Sequence, residues 1–323
     1  MPIMTYARAI NRALAEELER DPTVFVMGED VGAFGGAFGI TRGLQERFGR
    51  KRVFDTPISE TFIVGGGVGA ALTGLRPVVE LQYADFITVA MDEIYNKAAK
   101  WRYMHGGVFT VPLVIRAPGG VANGAGPEHS QSPEGLLLSA AGLHVVTPST
   151  PADALGLLKS AIRSPNPVVF FEHKGLYALK GEVPDGEHLV PIGVADVRRQ
   201  GEDVTIVAWT SMVHRALEAA EVLARENINV EVIDPRGVRP LDIDTILTSV
   251  KKTGRLIVSH EAAAPGGVGS EVVSLIAEHA LDYLVAPIKR VCAADIPIPQ
   301  SAEMEQLAIP TVGALVEACR SLF

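Results

Sequence analysis

Residues 52–72 read Arg52-Val53-Phe54-Asp55-Thr56-Pro57-Ile58-Ser59-Glu60-Thr61-Phe62-Ile63-Val64-Gly65-Gly66-Gly67-Val68-Gly69-Ala70-Ala71-Leu72. Arg52 to Phe54 has the character of a short strand. Pro57 and Ser59 are helix-opening residues, one with its φ preset and one able to cap free N–H groups. The helix they open carries the apolar, glycine-rich run Phe62 to Leu75. A strand handing over to a helix within four residues is half of a βα unit. The same alternation recurs on both sides.

Upstream, Ala7, Ile10, Leu14 and Leu18 share one helical face, with Thr5 as N-cap, and Thr23 to Met27 reads as a buried strand. Thr41 caps a short helix ending at Gly49. Downstream, strands are expected at Pro77–Leu81, Val111–Ile115, Leu143–Val146 and Val168–Phe171, and helices over 85–104 and 152–163. Beyond Pro191 the pattern resumes, with strands at Val204–Ala208, Val230–Ile233, Leu256–Ser259 and Ile288–Val291. Helices are expected over 212–225, 243–250 and 272–284. The strands are unbroken Val/Ile/Leu runs, as expected when helices cover both faces of a parallel sheet. The fold class is therefore α/β, with two open, mostly parallel sheets.

The chain has 323 residues, and about 150 per domain suggests two. The stretch Gly175 to Pro191 has no clear period. The expected division is a first domain over 1–180, a linker over 181–195 and a second domain over 196–323. With 29 Lys+Arg against 38 Asp+Glu, the formal charge is −9, which opposes binding to a phosphate backbone. Cys292 and Cys319 are too few for a disulfide framework. The run Phe62 to Leu75 is too short to span a bilayer, and Met1 to Arg20 mixes Glu with Arg unlike a signal peptide. The expectation is a cytoplasmic protein with no nucleic-acid or membrane partner.

Common signatures are missing: there is no G-x-S-x-G, no P-loop and no H-E-x-x-H. Gly65, Gly67 and Ala70 match G-x-G-x-x-A, but a helix-opening Ser-Glu pair precedes them rather than a strand end. Close approach to another backbone explains those glycines better. Gly65, Gly69, Ala70 and Gly74 give the helix a small face suited to a tight contact.

Glu60 stands at the edge where open α/β sheets place their ligands. Burial and a helix N-terminus would pull its protonation in opposite directions. It either serves chemistry or caps its helix. The loop Arg116 to Gln131 ends in Gly126-Pro127-Glu128-His129-Ser130-Gln131. His129 is a candidate proton carrier, or a solvated loop histidine. Glu29-Asp30 lines an acidic wall or forms a turn, the turn being favoured by sequence physics. On periodicity alone, Tyr83 and Phe86 are core.

Taken in order, GED at 28–30, GGAFG at 35–39, DTPISE at 55–60, ELQYADF at 80–86, EHSQSPE at 128–134, VTPSTPADALGLLKSAI at 146–162 and KTGRLIVSHEA at 252–262 resemble one family over essentially the whole chain. It is the beta subunit of the thiamine-diphosphate-dependent 2-oxo acid dehydrogenase component, from pyruvate, branched-chain and acetoin dehydrogenases. The resemblance implies two domains of transketolase type, one pyrimidine-binding and one C-terminal. It implies that Glu60 hydrogen-bonds N1′ of the cofactor's aminopyrimidine, that Ile58 and Phe86 contact that ring, and that Glu29 belongs to the surrounding acidic network. His129 matches the histidine that assists acyl transfer to lipoamide. A potassium ion held by the main-chain carbonyls of Leu113, Ala161, Ser164 and Asn166 is also implied, although Ser164 stands where many relatives have Asp.

The transketolase superfamily binds magnesium and diphosphate through a G-D-G…N motif, and no Gly-Asp-Gly occurs in this sequence. The resemblance thus implies that a separate alpha subunit brings magnesium and diphosphate binding, in an α2β2 heterotetramer. A dihydrolipoyl acyltransferase core with its lipoyl domain is the further partner. Competing readings are an acetoin-type enzyme, a self-sufficient transketolase- or synthase-like enzyme, and a non-catalytic assembly protein. The sequence does not specify the 2-oxo acid.

Overall fold

The computed structural model describes the whole chain, residues 1–323. It forms two compact units: Met1–Gly119 with Leu137–Ile192, and Gly120–Leu136 with Gly193–Phe323. The run 120–136, read from the sequence as part of the first domain, thus packs with the second unit.

The first unit begins with β1 (Ile3–Thr5) and α1 (Tyr6–Arg20). It continues through β2 (Val24–Gly28), α2 (Leu44–Phe48), β3 (Val53–Asp55), α3 (Glu60–Leu72) and β4 (Arg76–Glu80). Then come α4 (Trp101–Met104), β5 (Val114–Gly119), β6 (His144–Val146), α5 (Pro151–Arg163), β7 (Val168–His173) and β8 (Lys180–Glu182). Six of these strands form a parallel sheet in the order β6-β7-β5-β4-β2-β3. Every residue of β2, β5 and β7 is buried. The α1 stripe Tyr6, Ile10, Leu14 and Leu18 joins Leu155, Leu158 and Ile162 of α5 in one core. Burying each such aliphatic side chain contributes about 1.5–3 kcal/mol. Caps fall where their chemistry places them: Thr5 accepts from Arg8 N, Ser59 from Phe62 N and Thr150 from Asp153 N.

Four local expectations need correction. The helix after Thr41 starts only at Leu44, behind Gly43 in the left-handed region (φ 81°). Thr41 is instead buried, and its hydroxyl donates to Val31 O at 2.7 Å. The long helix expected over 85–104 is three pieces: a 3-10 turn at Ala84–Thr88, a π turn at Glu93–Ala98 and α4. Ile87, Ala90, Ile94 and Ala98 are all buried. Their spacing reveals the buried face but not whether each turn closes on the third, fourth or fifth residue. The strand expected at Val111 starts at Val114, because Pro112 has no N–H to give the ladder. Within the aperiodic stretch lies β8, antiparallel to β1 with Met4 opposite Gly181. A three-residue Lys-Gly-Glu ribbon leaves no hydrophobic period to read.

The second unit contains β9 (Asp196–Arg199), β10 (Val204–Ala208), α6 (Ser211–Ala224), β11 (Val230–Asp234), β12 (Gly237–Arg239), α7 (Ile243–Thr253) and β13 (Leu256–Ala263). It ends with α8 (Val268–His279), β14 (Lys289–Ala293), α9 (Ala302–Ala308) and α10 (Val312–Arg320). Its five-stranded sheet has the order β14-β13-β10-β11-β9, parallel except for the antiparallel edge strand β9. Ile206, Val232 and Ile257 of the sheet pack with Val213 and Leu223 of α6 and Leu315 and Cys319 of α10. The helix expected at 272–284 begins four residues earlier, at Val268, and closes at His279. No helix of the chain is long and apolar enough to cross a membrane.

Candidate active site

At the carboxyl edge of the first sheet, β3 ends at Asp55 and α3 begins at Glu60. Asp55 accepts from Gly32 N at 2.6 Å, which ties the loop after β2 to the end of β3. A Cβ on Gly32 would lie 2.7 Å from that carboxylate, so a larger residue there would push the Asp55 side chain aside. Thr56 N donates to Gly28 O at 2.9 Å, and Thr56 Oγ1 is buried without a hydrogen-bond partner.

Ser59 caps α3, which leaves the Glu60 carboxylate without that task. Glu60 is half-buried at the first helical position. Beside it, Glu29 is held above the ordinary carboxylate range, first by burial and then by the charges of Asp30 and Glu60. Asp30 takes the left-handed backbone (φ 56°), which swings Glu29 and Asp30 out of the strand. Two large apolar side chains flank Glu60 in sequence and remain uncovered: Ile58 is 74% exposed and Phe62 55% exposed.

Phe86 lies on the 3-10 turn after β4. Its ring meets Tyr83 edge-on at 5.9 Å, and Tyr83 meets Phe38 edge-on at 5.5 Å. Phe86 is half-buried and Lys174 Nζ lies 5.2 Å from the Tyr83 ring centroid. The expectation that Tyr83 and Phe86 are plain core is too simple, since neither side chain is fully buried.

Behind these groups sits an ionic cluster that sequence reasoning missed. Arg116 of β5 is completely buried. It donates to both carboxylate oxygens of Glu172 at 2.5 and 2.9 Å and also pairs with Glu80. The Tyr177 hydroxyl donates to Glu172 at 2.8 Å. Burial pushes the Glu80 carboxyl up, while Arg116 opposes that shift. The available signal was a charge set inside an apolar strand run, Val-Ile-Arg116 and Phe-Phe-Glu172, since such residues are buried only when paired.

Glu29, Ile58, Glu60 and Phe86 all belong to the first unit, whereas His129 belongs to the second. His129 is half-buried and its N–H donates to Gly126 O at 3.2 Å. Beside its loop is a cavity of about 480 Å³, lined by Pro127, Ser130, Gln131, Glu261, Pro265 and Ile298. Ser130 Oγ is buried there without a partner.

The four carbonyls singled out for a cation gather around the end of α5. Leu113 O accepts from Val168 N at 2.9 Å, Ala161 O from Ser164 N at 3.1 Å and Asn166 O from Ser164 Oγ at 3.1 Å. Ser164 O accepts from Arg76 Nη1 at 3.2 Å, and the same nitrogen donates to Ile162 O at 2.8 Å. Each carbonyl keeps a second lone pair, so the oxygen set fits a monovalent cation in kind.

Two α/β units, the first with an acidic group and uncovered apolar side chains at its sheet edge, define a class. Residues 3–180 match the family model for the transketolase pyrimidine-binding domain, and residues 193–315 that for the transketolase C-terminal domain. A split-gene transketolase solved as an inactive beta4 tetramer superposes with a TM-score of 0.81 at 24% identity, covering 99% of this chain and 98% of that one. That likeness concerns the fold.

The sequence is 47% identical to the 2-oxoisovalerate dehydrogenase subunit beta of Bacillus subtilis (strain 168), over 100% of this chain and 99% of the relative. It is 46% identical to the mitochondrial pyruvate dehydrogenase E1 component subunit beta-1 of Oryza sativa subsp. japonica, over 98% and 86%. It is 45% identical to the acetoin:2,6-dichlorophenolindophenol oxidoreductase subunit beta of Cupriavidus necator, over 97% and 95%. The chain belongs to the family of E1 beta subunits of 2-oxo acid dehydrogenases.

Proposed function

We propose that this chain, joined to an alpha subunit in an α2β2 heterotetramer, carries out thiamine-diphosphate-dependent oxidative decarboxylation of a 2-oxo acid and reductive acylation of lipoamide on a dihydrolipoyl acyltransferase core. The observation that carries the reading is Glu60, relieved of capping by Ser59, at a sheet edge beside Glu29 and the uncovered Ile58.

These residues fit an aminopyrimidine. A carboxyl group meets a ring nitrogen, apolar side chains meet ring faces, and the partnerless Thr56 Oγ1 lies next to Pro57-Ile58. Thiamine diphosphate held here would supply the nucleophilic carbon and the electron-accepting ring that 2-oxo acid decarboxylation needs. Glu60 holds a proton at N1′ of the ring, while Ile58 and Phe86 orient its faces. The Glu29 carboxyl, raised above the ordinary range by burial and by the charges of Asp30 and Glu60, stands close to Glu60. His129 moves a proton during acyl transfer to the lipoyl arm.

Magnesium and the diphosphate fall to the alpha partner in this reading. Potassium is proposed at the carbonyls of Leu113, Ala161, Ser164 and Asn166. The site of action is proposed to be the cytoplasm. The substrate is pyruvate or a branched-chain 2-oxo acid, with acetoin as the alternative suggested by the third relative's name.

The test is decarboxylation of a 2-oxo acid panel by this chain alone and after mixing with an alpha subunit. Turnover only in the mixture is expected. Turnover by the chain alone would point to a self-sufficient thiamine enzyme. No turnover with any alpha partner would point to an assembly role.

A further inference from the structure

We propose that Glu261 and Glu305 are positioning residues for His129: their carboxylates hold the backbone of the loop that presents the imidazole. The inference rests on the acyl-transfer role proposed for His129.

The loop is laced at its neck, where Gly120 N donates to Gln131 O at 2.9 Å. Val121 then does two things. Its side chain is buried in an apolar cluster with Ala293, Ile298, Ala308 and Ile309. Its N–H donates to Glu261 Oε2 at 3.0 Å, while Glu261 Oε1 accepts from the Ser211 hydroxyl at 3.1 Å. Glu261 stands near the end of β13, and Ser211 opens α6 directly after β10. β10 and β13 are adjacent strands whose neighbouring connections run in opposite directions across the sheet, through α6 to β11 and back through α7. That is where an open sheet offers a crevice at its carboxyl edge. Here Glu261 uses the crevice to hold the start of the loop.

The second clamp comes three residues later. Gly124 N donates to Glu305 Oε2 at 2.8 Å. Glu305 lies on α9 and is 1% exposed. A buried carboxylate is costly unless donors meet it, and a hydrogen bond to an ionised acceptor is stronger than a neutral one. Gly124 has φ +67°, and a Cβ there would lie 2.4 Å from Gln300 O. The loop is therefore flush against the segment leading into α9. From Gly124 the chain needs only one more turn, Gly126 O to His129 N, to reach the imidazole. Both anchoring carboxylates come from positions more than 130 residues further along the chain.

The experiment uses the assembled enzyme with its alpha partner and compares two rates, acylation of a lipoyl domain and decarboxylation read with an artificial electron acceptor. Glu305→Leu removes the acceptor. The ratio of acylation to decarboxylation is expected to fall by about 10- to 100-fold, the scale of a displaced catalytic group. Glu305→Gln keeps an acceptor oxygen and is expected to restore most of the ratio, as is Glu261→Gln against Glu261→Leu. A merely structural role would lower both rates together. His129→Ala is run alongside. If it lowers both rates equally, the role of His129 itself is wrong. If it splits them while Glu305→Leu does not, the positioning inference is overturned. Should the Leu variants fail to assemble, hydrogen exchange on the unmodified enzyme decides. Protection of the Val121 and Gly124 amides well beyond that of Asn123 supports the clamps, and equally fast exchange at all three sinks them.

Discussion

Lowering the pH should destabilise the second unit through one buried imidazole, His260. It lies on β13, 3% exposed. Its Nδ1 is 3.0 Å from Ala262 O, and because a carbonyl can only accept, Nδ1 carries the proton. Nε2 is left as an acceptor 3.4 Å from Cys292 Sγ, whose thiol can donate to it. Gly267 and Gly269 leave room for the ring, since a Cβ on either would lie 2.4 or 2.9 Å from it. The site is thus built for neutral imidazole. Burial holds the pKa down from 6.5 to about 4, the Ala262 hydrogen bond works the other way, and the Arg290 charge lowers it further.

The sign follows from proton counting. Between pH 6.5 and 4 the unfolded chain binds a proton at this residue and the folded chain does not. The contribution is complete above pH 6.5 and is lost as the pH falls. With those two values the loss is about 2 kcal/mol at pH 5 and approaches about 3 kcal/mol below pH 4. Urea denaturation at pH 7.5, 6 and 5, compared between the unmodified chain and His260→Gln, isolates the effect. The variant is expected to be less stable at pH 7.5 but to have the shallower pH slope. Parallel slopes in the two proteins would refute the argument, as would an imidazole titrating near 6.5 by NMR in the folded chain.

Three further outcomes are expected. Glu60→Gln should abolish nearly all 2-oxo acid decarboxylation while assembly with an alpha subunit stays intact, as read by activity and by size-exclusion chromatography; normal turnover would remove Glu60 from its role. Arg116→Leu should cost about 3–5 kcal/mol in denaturant unfolding, because it leaves the Glu80 and Glu172 carboxylates buried without their cation; a loss under about 1 kcal/mol would mean the pairing is weak. Replacing sodium by potassium at constant ionic strength should raise the melting temperature if the Ala161–Asn166 carbonyls bind the ion, and identical melting curves would argue against that site.

Much of the architecture was legible because it obeys local rules. β2 is an unbroken apolar run, β10 and β11 are Val/Ile-rich, and all three are buried along their whole length, a pattern whose common home is a parallel sheet covered on both faces. Thr5 and Ser59 cap their helices because each side-chain oxygen meets an N–H three residues on. What escaped was decided at longer range. The π turn at Glu93–Ala98 leaves the apolar stripe intact, so periodicity could not register it. The short helix α9 and the edge strand β9 are too brief or too polar to announce themselves. Within the candidate site, Glu60 and Glu29 stood out by their place after strand ends, whereas the Glu80–Arg116–Glu172 cluster joins three separate strands. Residues 120–136 meet the second unit through partners distant in sequence, among them Glu261, Glu305 and the apolar cluster around Val121, which no window around His129 contains.

The pairing of β1 with β8 has a practical bearing. Hydrogen bonding there starts at the second residue, with Val183 N donating to Pro2 O at 3.0 Å. Anything fused ahead of Met1 would emerge beside Val183, on the stretch that leads toward the end of the first unit at Ile192. An affinity tag at that end would crowd this stretch, and trimming the leading residues would unzip the pairing.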